Sequence, residues 1–322
     1  MNEYLLEAKN VKKYFPIKTG LFNRVVGHVK AVDDVSFGIR AGETFGLVGE
    51  SGCGKSTLAR VLLKLKRATD GDIHFDGRNI DHVGSSDLRK LRQEMQIIFQ
   101  DPYGSLNPRF LIKDVIAEPL RTHRKMSAKE VDDRVVELME LVGLDISRRN
   151  RYPHEFSGGQ RQRVGIARAI ALNPKFIVAD EAVSALDVSV QSQVLNLLQR
   201  LQKDLGLTYL FIAHGLNVVR HISDRIGVMY LGKMVEVART EDLFAHPKHP
   251  YTKVLLSAIP TPSTLRKTER IILEGDVPSP ANPPSGCRFH TRCPYVQEKC
   301  RIEEPLLEPS GDDGQVACHF PL

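Results

Sequence analysis

A glycine-rich loop between a strand and a helix constrains this chain more than any other feature. The run Gly49–Thr57 reads G-E-S-G-C-G-K-S-T, after the apolar segment Thr44–Val48 and before the helical segment Leu58–Lys64. In that setting the glycines let the backbone turn tightly and aim successive N–H groups at one point, where the helix dipole also favours an anion. The loop therefore predicts a phosphate cradle in an α/β fold.

Side chains of this loop are candidates for distinct contacts with a nucleoside triphosphate. Lys55 would reach the β- and γ-phosphates, Ser56 would offer its hydroxyl to Mg²⁺, and Thr57 would contact the α-phosphate side. The candidate phosphate site consists of Gly49, Glu50, Ser51, Gly52, Cys53, Gly54, Lys55, Ser56 and Thr57. ATP with Mg²⁺ is the expected ligand.

The composition argues against a membrane-spanning or secreted chain. The 322 residues are 42% hydrophobic, enough for a sizeable core. No apolar run approaches the ~18 residues of a membrane helix, and the N-terminus lacks an export signal. We therefore expect a cytoplasmic or peripheral protein. The net charge of +6 comes from Lys and Arg interspersed with Asp and Glu, which is typical of a solvated surface.

Apolar strands alternate with helical segments, which favours a mainly parallel core sheet covered on both faces. Strand-like segments over residues 3–15 and 31–37, with a hairpin near 70–79, predict an antiparallel β subdomain. A segment punctuated by Pro and Gly, from Pro16 to about Lys30, reads as an insert between the first two of these strands.

A helical subdomain is predicted inside the α/β core, over about residues 101–163. Within it, Ser127–Glu130 forms a capping box ahead of apolar residues at helical spacing. Past Pro260 prolines accumulate and helical periodicity fades, so a separate tail is expected there.

A second set of polar residues follows apolar strands later in the chain. Asp180 and Glu181 end one such strand and supply one carboxylate for Mg²⁺ and one to orient a water molecule. Gln100 follows an earlier strand and His214 a later one. The string Ser157–Gln160, S-G-G-Q, stands ahead of a helix, where an N-terminus can hold an anion. Taken alone, a strand-terminal Asp would more often be a cap or turn residue, the S-G-G-Q string an ordinary loop, and His214 a core histidine.

The order of these motifs, with Asp187 at the end of the run S-A-L-D, resembles the ATP-binding cassette of ABC transporters over about residues 5–240. The resemblance implies two nucleotides sandwiched between ATPase subunits arranged head to tail. The residues that would reach the nucleotide of the opposite subunit are Ser157, Gly158, Gly159 and Gln160.

Roles for the remaining residues also come from the resemblance. Lys55, Glu181 and His214 are the implied catalytic residues, with His214 holding the γ-phosphate. Asp180 and Gln100 would join Ser56 at Mg²⁺, and Asp187 would bridge the two sites. Phe15 aligns with the adenine-stacking aromatic, with Tyr14 as the alternative, although a lone aromatic near a strand end is more often a core residue.

This chain departs from the common cassette pattern at three places. Ala182-Val183 replaces Pro-Thr, Phe156 replaces Leu, and Gly215 replaces the Asp that usually follows the histidine. None of these changes removes a group that touches phosphate. Gly215 does remove a carboxylate and a helix cap, so weakened activity is expected there.

The C-terminal part narrows the family. The stretches His246–Pro260 and Pro278–Phe289 resemble the C-terminal extension of bacterial dipeptide and oligopeptide importers, and the chain is most similar to the second of their two ATPase subunits. This implies an ATP-binding domain over residues 1–258 and an extension over 259–322.

The implied partners are a paralogous ATPase subunit, two integral-membrane permeases and, indirectly, an extracellular peptide-binding protein, at the cytoplasmic face of the inner membrane. The solute could also be a nickel chelate or haem. A cassette ATPase acting on nucleic acid is the less favoured alternative, because the chain has a single phosphate loop and no long coiled coil. A regulatory binder that does not hydrolyse ATP is disfavoured by Glu181 and His214.

The extension contains Cys287, Cys293, Cys300 and Cys318 at spacing C-x5-C-x6-C-x17-C. Without an export signal, disulfides are disfavoured. Zinc usually uses tighter C-x2–4-C pairs, whereas four thiolates at looser spacing can hold a [4Fe–4S] cluster. The resemblance includes importers with such a cluster, so it is the favoured interpretation, with zinc and unligated thiols as alternatives. Its expected role is structural, far from the phosphate loop.

Overall fold

A computed structural model describes residues 3–20, 23–101, 103–213, 215–259, 271, 273, 275–311 and 313–322. The chain divides into two compact units. The first comprises Met1–Arg40, Thr44–Asp81 and Ala213–Leu322, and the second comprises Ala41–Glu43 and His82–Ile212.

The described strands and helices are numbered in chain order. The strands are β1 (Leu6–Thr19), β2 (Arg24–Ile39), β3 (Thr44–Val48), β4 (Asp70–Phe75), β5 (Arg78–Asn79), β6 (Met95–Ile98), β7 (Phe176–Asp180), β8 (Thr208–Ile212), β9 (Arg225–Tyr230), β10 (Lys233–Arg239), β11 (Glu308–Pro309) and β12 (Gln315–Val316). The helices are α1 (Lys55–Leu62), α2 (Ser85–Glu94), α3 (Ile112–His123), α4 (Ala128–Leu141), α5 (Gly158–Ile170), α6 (Val188–Leu205), α7 (Leu216–Ile222), α8 (Thr240–Ala245), α9 (Pro250–Ser257) and α10 (Glu298–Ile302).

In the first unit, an antiparallel sheet of order β2-β1-β4-β5 confirms the predicted β subdomain. The predicted insert after Phe15 was wrong, because β1 continues to Thr19 and pairs with β2, with Ile17 opposite Gly27. Pairing of β1 with β4 ends at Lys12. Beyond that point, within the described residues, β1 pairs with β2 alone, so Pro16 can lie in the strand without breaking a second ladder.

The core strands of the first unit form a mixed sheet. β3 pairs in parallel with β9, and β9 pairs antiparallel with β10. All five residues of β3 are buried, as expected for a strand covered on both faces. The C-terminal extension is not a separate tail: β12 pairs with β10, with Val316 opposite Glu236, and β11 pairs with β12.

In the second unit the described strand pairs are parallel, with β6 beside β7 and β7 beside β8. Helices α3 and α4 lie in the predicted helical region, and α5 begins in it and continues beyond its predicted end near residue 163 to Ile170. The capping box at α4 is present: Ser127 Oγ accepts from the Glu130 N–H, and the Glu130 carboxylate accepts from the Ser127 N–H. α6 ends at Gly206, whose φ of 65° makes it the predicted left-handed cap.

Candidate nucleotide-binding site

The phosphate loop joins β3 to α1, as the sequence predicts, and its glycines are required by geometry. Gly49 has φ 151° and Gly54 has φ 109°, backbone conformations that side chains with a Cβ rarely adopt. A Cβ at Gly49 would lie 2.1 Å from the Met229 carbonyl oxygen, and one at Gly54 would lie 2.0 Å from that of Ala31. The loop therefore packs against neighbouring backbone too closely for any other residue.

Lys55, the first residue of α1, is only 4% exposed. Its Nζ donates to the carbonyl oxygens of Gly49 at 2.6 Å and Glu50 at 3.1 Å. Cys53 is also buried, and burial raises the pKa of its thiol. The lysine charge is thus held inside the loop at the helix N-terminus, where it adds to the attraction of the backbone amides for an anion.

The two candidate adenine-stacking aromatics lie in different environments. Phe15 is half-buried, with the ammonium groups of Lys66 and Lys13 at 4.9 and 5.2 Å from its ring centroid. Tyr14 donates its hydroxyl to the carboxylate of Asp33. Burial first, and then this bond, raise the pKa of Tyr14. The Tyr14 hydroxyl therefore already has a hydrogen-bond partner within the protein.

In the second unit, Asp180 and Glu181 follow one another at the end of β7, and each is 6% exposed. β6 runs parallel to β7 with Ile98 opposite Ala179. Gln100, two residues beyond β6, therefore lies at the same sheet edge as the acidic pair, where open α/β sheets bind their ligands. Glu181 has a φ of 52°, which is uncommon for a residue with a side chain, and its N–H donates to the Ile212 carbonyl at 3.0 Å.

The predicted S-G-G-Q string begins α5, with Ser157 as its N-cap. Ser157 N–H donates to Gln160 Oε1 at 3.0 Å, and Gln160 N–H donates to Ser157 Oγ at 3.4 Å. Ser157 and Gly158 are exposed, whereas Gly159 is buried, and a Cβ there would lie 2.3 Å from Val190 Cγ1 of α6. Asp187, the N-cap of α6, is exposed. The N-terminus of α5 thus presents Ser157 to solvent.

The position of His214 lies outside the described residues. Gly215 is the N-cap of α7 and forms no side-chain capping bond, as the change from Asp implies.

In the part of the chain that the structure describes, no helix is both long and apolar enough to cross a bilayer.

The four cysteines of the extension line one small cavity of about 10 Å³, with His249 and Phe289 also at its wall. Burial raises the pKa of Cys287 to about 11, and the neighbouring thiols add to this shift. Four soft thiols suit iron or zinc chemically. Over the described ranges, however, no group of three or more His, Cys, Asp or Glu side chains is arranged to hold a metal ion. The structure therefore brings the four thiols to one cavity without arranging them as a metal site.

The expectation that the extension is remote from the phosphate loop was wrong. Arg292 of the extension pairs with the carboxylate of Glu50. The hydroxyl of Tyr251, in the preceding helix α9, accepts from the Glu50 N–H at 2.8 Å. The residues that meet here are more than 200 positions apart in the chain. Sequence patterns carry no signal for such contacts, since Arg292 belongs to no motif.

Comparisons with known proteins agree with this geometry. The family model for ABC transporters matches residues 32–184, and the model for the C-terminal region of oligopeptide/dipeptide transporters matches residues 235–300. Among solved structures, the ATP-binding cassette MJ0796, in a dimer bound to ADP and Pi, covers 73% of this chain and 98% of its own, with 30% identity and a TM-score of 0.65. The chain is an ABC ATPase.

Relatives of nearly equal length define the narrower family. The oligopeptide transport ATP-binding protein AppF of Bacillus subtilis (strain 168) is 54% identical over 99% of this chain and 98% of its own. The dipeptide transport ATP-binding protein DppF of Haemophilus influenzae is 51% identical over 98% of this chain and 97% of its own. The oligopeptide transport ATP-binding protein OppF of Salmonella typhimurium is 53% identical over 95% and 93%, respectively. The chain belongs to this family of oligopeptide and dipeptide transport ATP-binding proteins.

Proposed function

We propose that this chain is the ATP-hydrolysing subunit that energises import of dipeptides or oligopeptides across the bacterial inner membrane. The observation that carries the proposal is the end-to-end likeness to AppF, OppF and DppF, which includes the extension as well as the cassette. The phosphate loop supplies the chemical basis, because its buried lysine and helix N-terminus suit a polyphosphate.

The residues of the phosphate loop, the candidate aromatic and the oxygen donors have proposed roles in binding ATP and Mg²⁺. Lys55 binds the β- and γ-phosphates, and the loop from Gly49 to Thr57 cradles them. Phe15 is the better candidate for the adenine, because Tyr14 is bonded to Asp33. By the family resemblance, the candidate oxygen donors for Mg²⁺ are the hydroxyl of Ser56, the carboxylate of Asp180 and the amide of Gln100. Bound Mg²⁺ neutralises developing phosphate charge.

In hydrolysis, Glu181 orients and deprotonates the attacking water. Its backbone is fixed by a bond to Ile212, and its own carbonyl accepts from Ser184 N–H at 3.0 Å. These contacts fix the backbone from which the carboxylate projects. His214 is assigned to the γ-phosphate by resemblance alone. Asp187 is assigned to the link between the two nucleotide sites.

A second ATPase subunit is part of the proposal. The exposed N-terminus of α5, with Ser157 and Gly158, suits contact with a phosphate bound to the opposite subunit. A paralogous ATPase, two permeases and an extracellular binding protein complete the complex, and the chain would lie peripherally at the cytoplasmic face of the membrane.

A metal group bound in the four-cysteine cavity is a further part of the proposal. A [4Fe–4S] cluster, or zinc, remains a proposal supported by the convergence of four soft thiols on one cavity. Anaerobic purification followed by iron, sulfide and zinc analysis tests it. Iron with acid-labile sulfide supports the cluster, one zinc per chain supports the alternative, and a folded metal-free chain overturns both.

The proposed function is tested by coexpressing this chain with the sister ATPase and permeases from neighbouring genes and placing the complex in lipid nanodiscs. We expect ATP hydrolysis that rises when the binding protein is added with a peptide. The same assay with a nickel chelate or haem identifies those solutes instead. Hydrolysis that responds to nucleic acid, and to no solute with its binding protein, would contradict importer function.

A further inference from the structure

The extension reaches the phosphate loop through one charged side chain. The guanidinium of Arg292 contacts both carboxylate oxygens of Glu50, with Nη1 to Oε2 at 2.8 Å and Nη2 to Oε1 at 3.2 Å. The Arg292 side chain is 9% exposed and that of Glu50 is 27% exposed. Two parallel N–H···O bonds in a largely buried place fix the orientation of both groups.

Glu50 is held by its backbone as well. Its N–H donates to the Tyr251 hydroxyl, and its carbonyl accepts from Lys55 Nζ. The residue that carries the carboxylate therefore also contacts the lysine assigned to the phosphates. An unpaired negative charge here would repel a polyphosphate, and the partly buried setting would screen that repulsion less than bulk water does. Arg292 neutralises the charge.

The position of Arg292 is set by the packing around it. Its N–H donates to the Phe289 carbonyl at 3.0 Å. Phe289 is 1% exposed and packs against Tyr230 and Tyr251, with ring centroids at 5.2 and 5.3 Å. Arg292 and Phe289 lie between Cys287 and Cys293, so the segment that presents the arginine is anchored at the cysteine cavity on both sides.

The same segment of the extension also contacts the surroundings of Tyr14 and Phe15. Arg288 donates to the Asp33 carboxylate and to the Leu231 carbonyl. Asp33 is also the acceptor of the Tyr14 hydroxyl. Although burial works against ionisation, the bonds from Tyr14 and Arg288 hold the pKa of Asp33 below its ordinary range. A second arginine of the extension therefore stabilises the residue next to Phe15.

We propose that Arg292 is a positioning residue for ATP binding, acting through Glu50 by neutralising and orienting its carboxylate beside the phosphates. The inference rests on the ATP site of the proposed function and assigns the extension a part in that site. Arg292 does not itself touch the nucleotide.

The test measures Kd for ATP of the full chain, and KM and kcat for ATP of the assembled complex. Arg292→Gln leaves the Glu50 carboxylate unpaired, so Kd and KM should rise about 5- to 10-fold while kcat changes less than about twofold. Arg292→Lys keeps the charge but loses the paired geometry, and it should give intermediate values. Arg301→Gln, which changes an exposed arginine of the same extension, is the matched control and should leave both constants unchanged.

A double variant separates charge neutralisation from general support of the fold. In Glu50→Gln/Arg292→Gln the repelling carboxylate is gone, so most of the ATP affinity lost in Arg292→Gln should return. A double variant as weak as Arg292→Gln would overturn the inference. So would an unchanged Kd in Arg292→Gln or, if that variant does not fold, an unchanged Kd in Arg292→Lys. A wild-type chain that fails to bind ATP would instead overturn the proposed function.

Discussion

The phosphate loop and the C-terminal extension belong to the same compact unit but are specified in different ways. The loop is a local structure: nine consecutive residues contain its glycines, its lysine and its hydroxyls. The extension is specified by contacts over long distances in sequence, such as Arg292 with Glu50 and Val316 with Glu236. A local motif reveals its chemistry in the sequence, whereas a docked segment reveals its role only when its neighbours are known.

The largest effects should come from the local machinery. Lys55→Ala removes charge-assisted hydrogen bonds of about 1.5–3 kcal/mol each, so ATP binding and hydrolysis should fall together.

Glu181→Gln keeps the shape of the side chain but not the base, and hydrolysis should fall about 10²- to 10⁴-fold with ATP still bound. Parallel measurements of ATP binding and phosphate release distinguish the two. A Glu181→Gln variant with near wild-type turnover would remove Glu181 from catalysis.

The glycines of the loop should come next in effect. In Gly54→Ala the new Cβ would meet the Ala31 carbonyl at a backbone φ of 109°, so we expect a loss of more than about 1 kcal/mol in unfolding free energy, together with weaker ATP binding. Gly42→Ala is the matched control, because Gly42 also has a positive φ, 75°, but has open space around it. Thermal unfolding and ATP titration measure both variants. Equal effects in the two would show that close packing does not decide the choice of glycine.

The local structure around the candidate residues could be predicted, because each of them lies at the end of a strand or at the start of a helix. The acidic pair at the end of β7, the serine before α5 and the capping box at Ser127 can all be recognised in the sequence. The continuation of β1 beyond Pro16 was not, because proline suggests a break until the missing second neighbour of the strand is known. The docking of the extension on Glu50 was also invisible, since an isolated arginine has many candidate partners.

The smallest expected effect concerns the extension and its thiols. Burial raises the pKa of Cys287 from its ordinary value of 9.0 to about 11, so folding favours the protonated thiol. In metal-free protein this contribution to stability is fully present below about pH 9 and is lost as the pH rises through about 11. Thermal unfolding of the wild type and of Cys287→Ala should therefore converge at alkaline pH. A difference between them that does not change from pH 8 to 11 would contradict the raised pKa.

The central claim, which rests on the proposed function, is that a second ATPase subunit completes the ATP site of this chain, and that Ser157 at the start of α5 reaches the nucleotide of that second subunit. The direct measurement is ATP turnover per chain, for the isolated chain over a range of concentrations and for the complex with its sister ATPase and permeases. We expect turnover that is low when the chain is monomeric and rises on assembly, and a Ser157→Arg variant that assembles with a much smaller rise, because it disables the site of the second subunit. An isolated monomer that hydrolyses ATP as fast as the full complex would contradict the account.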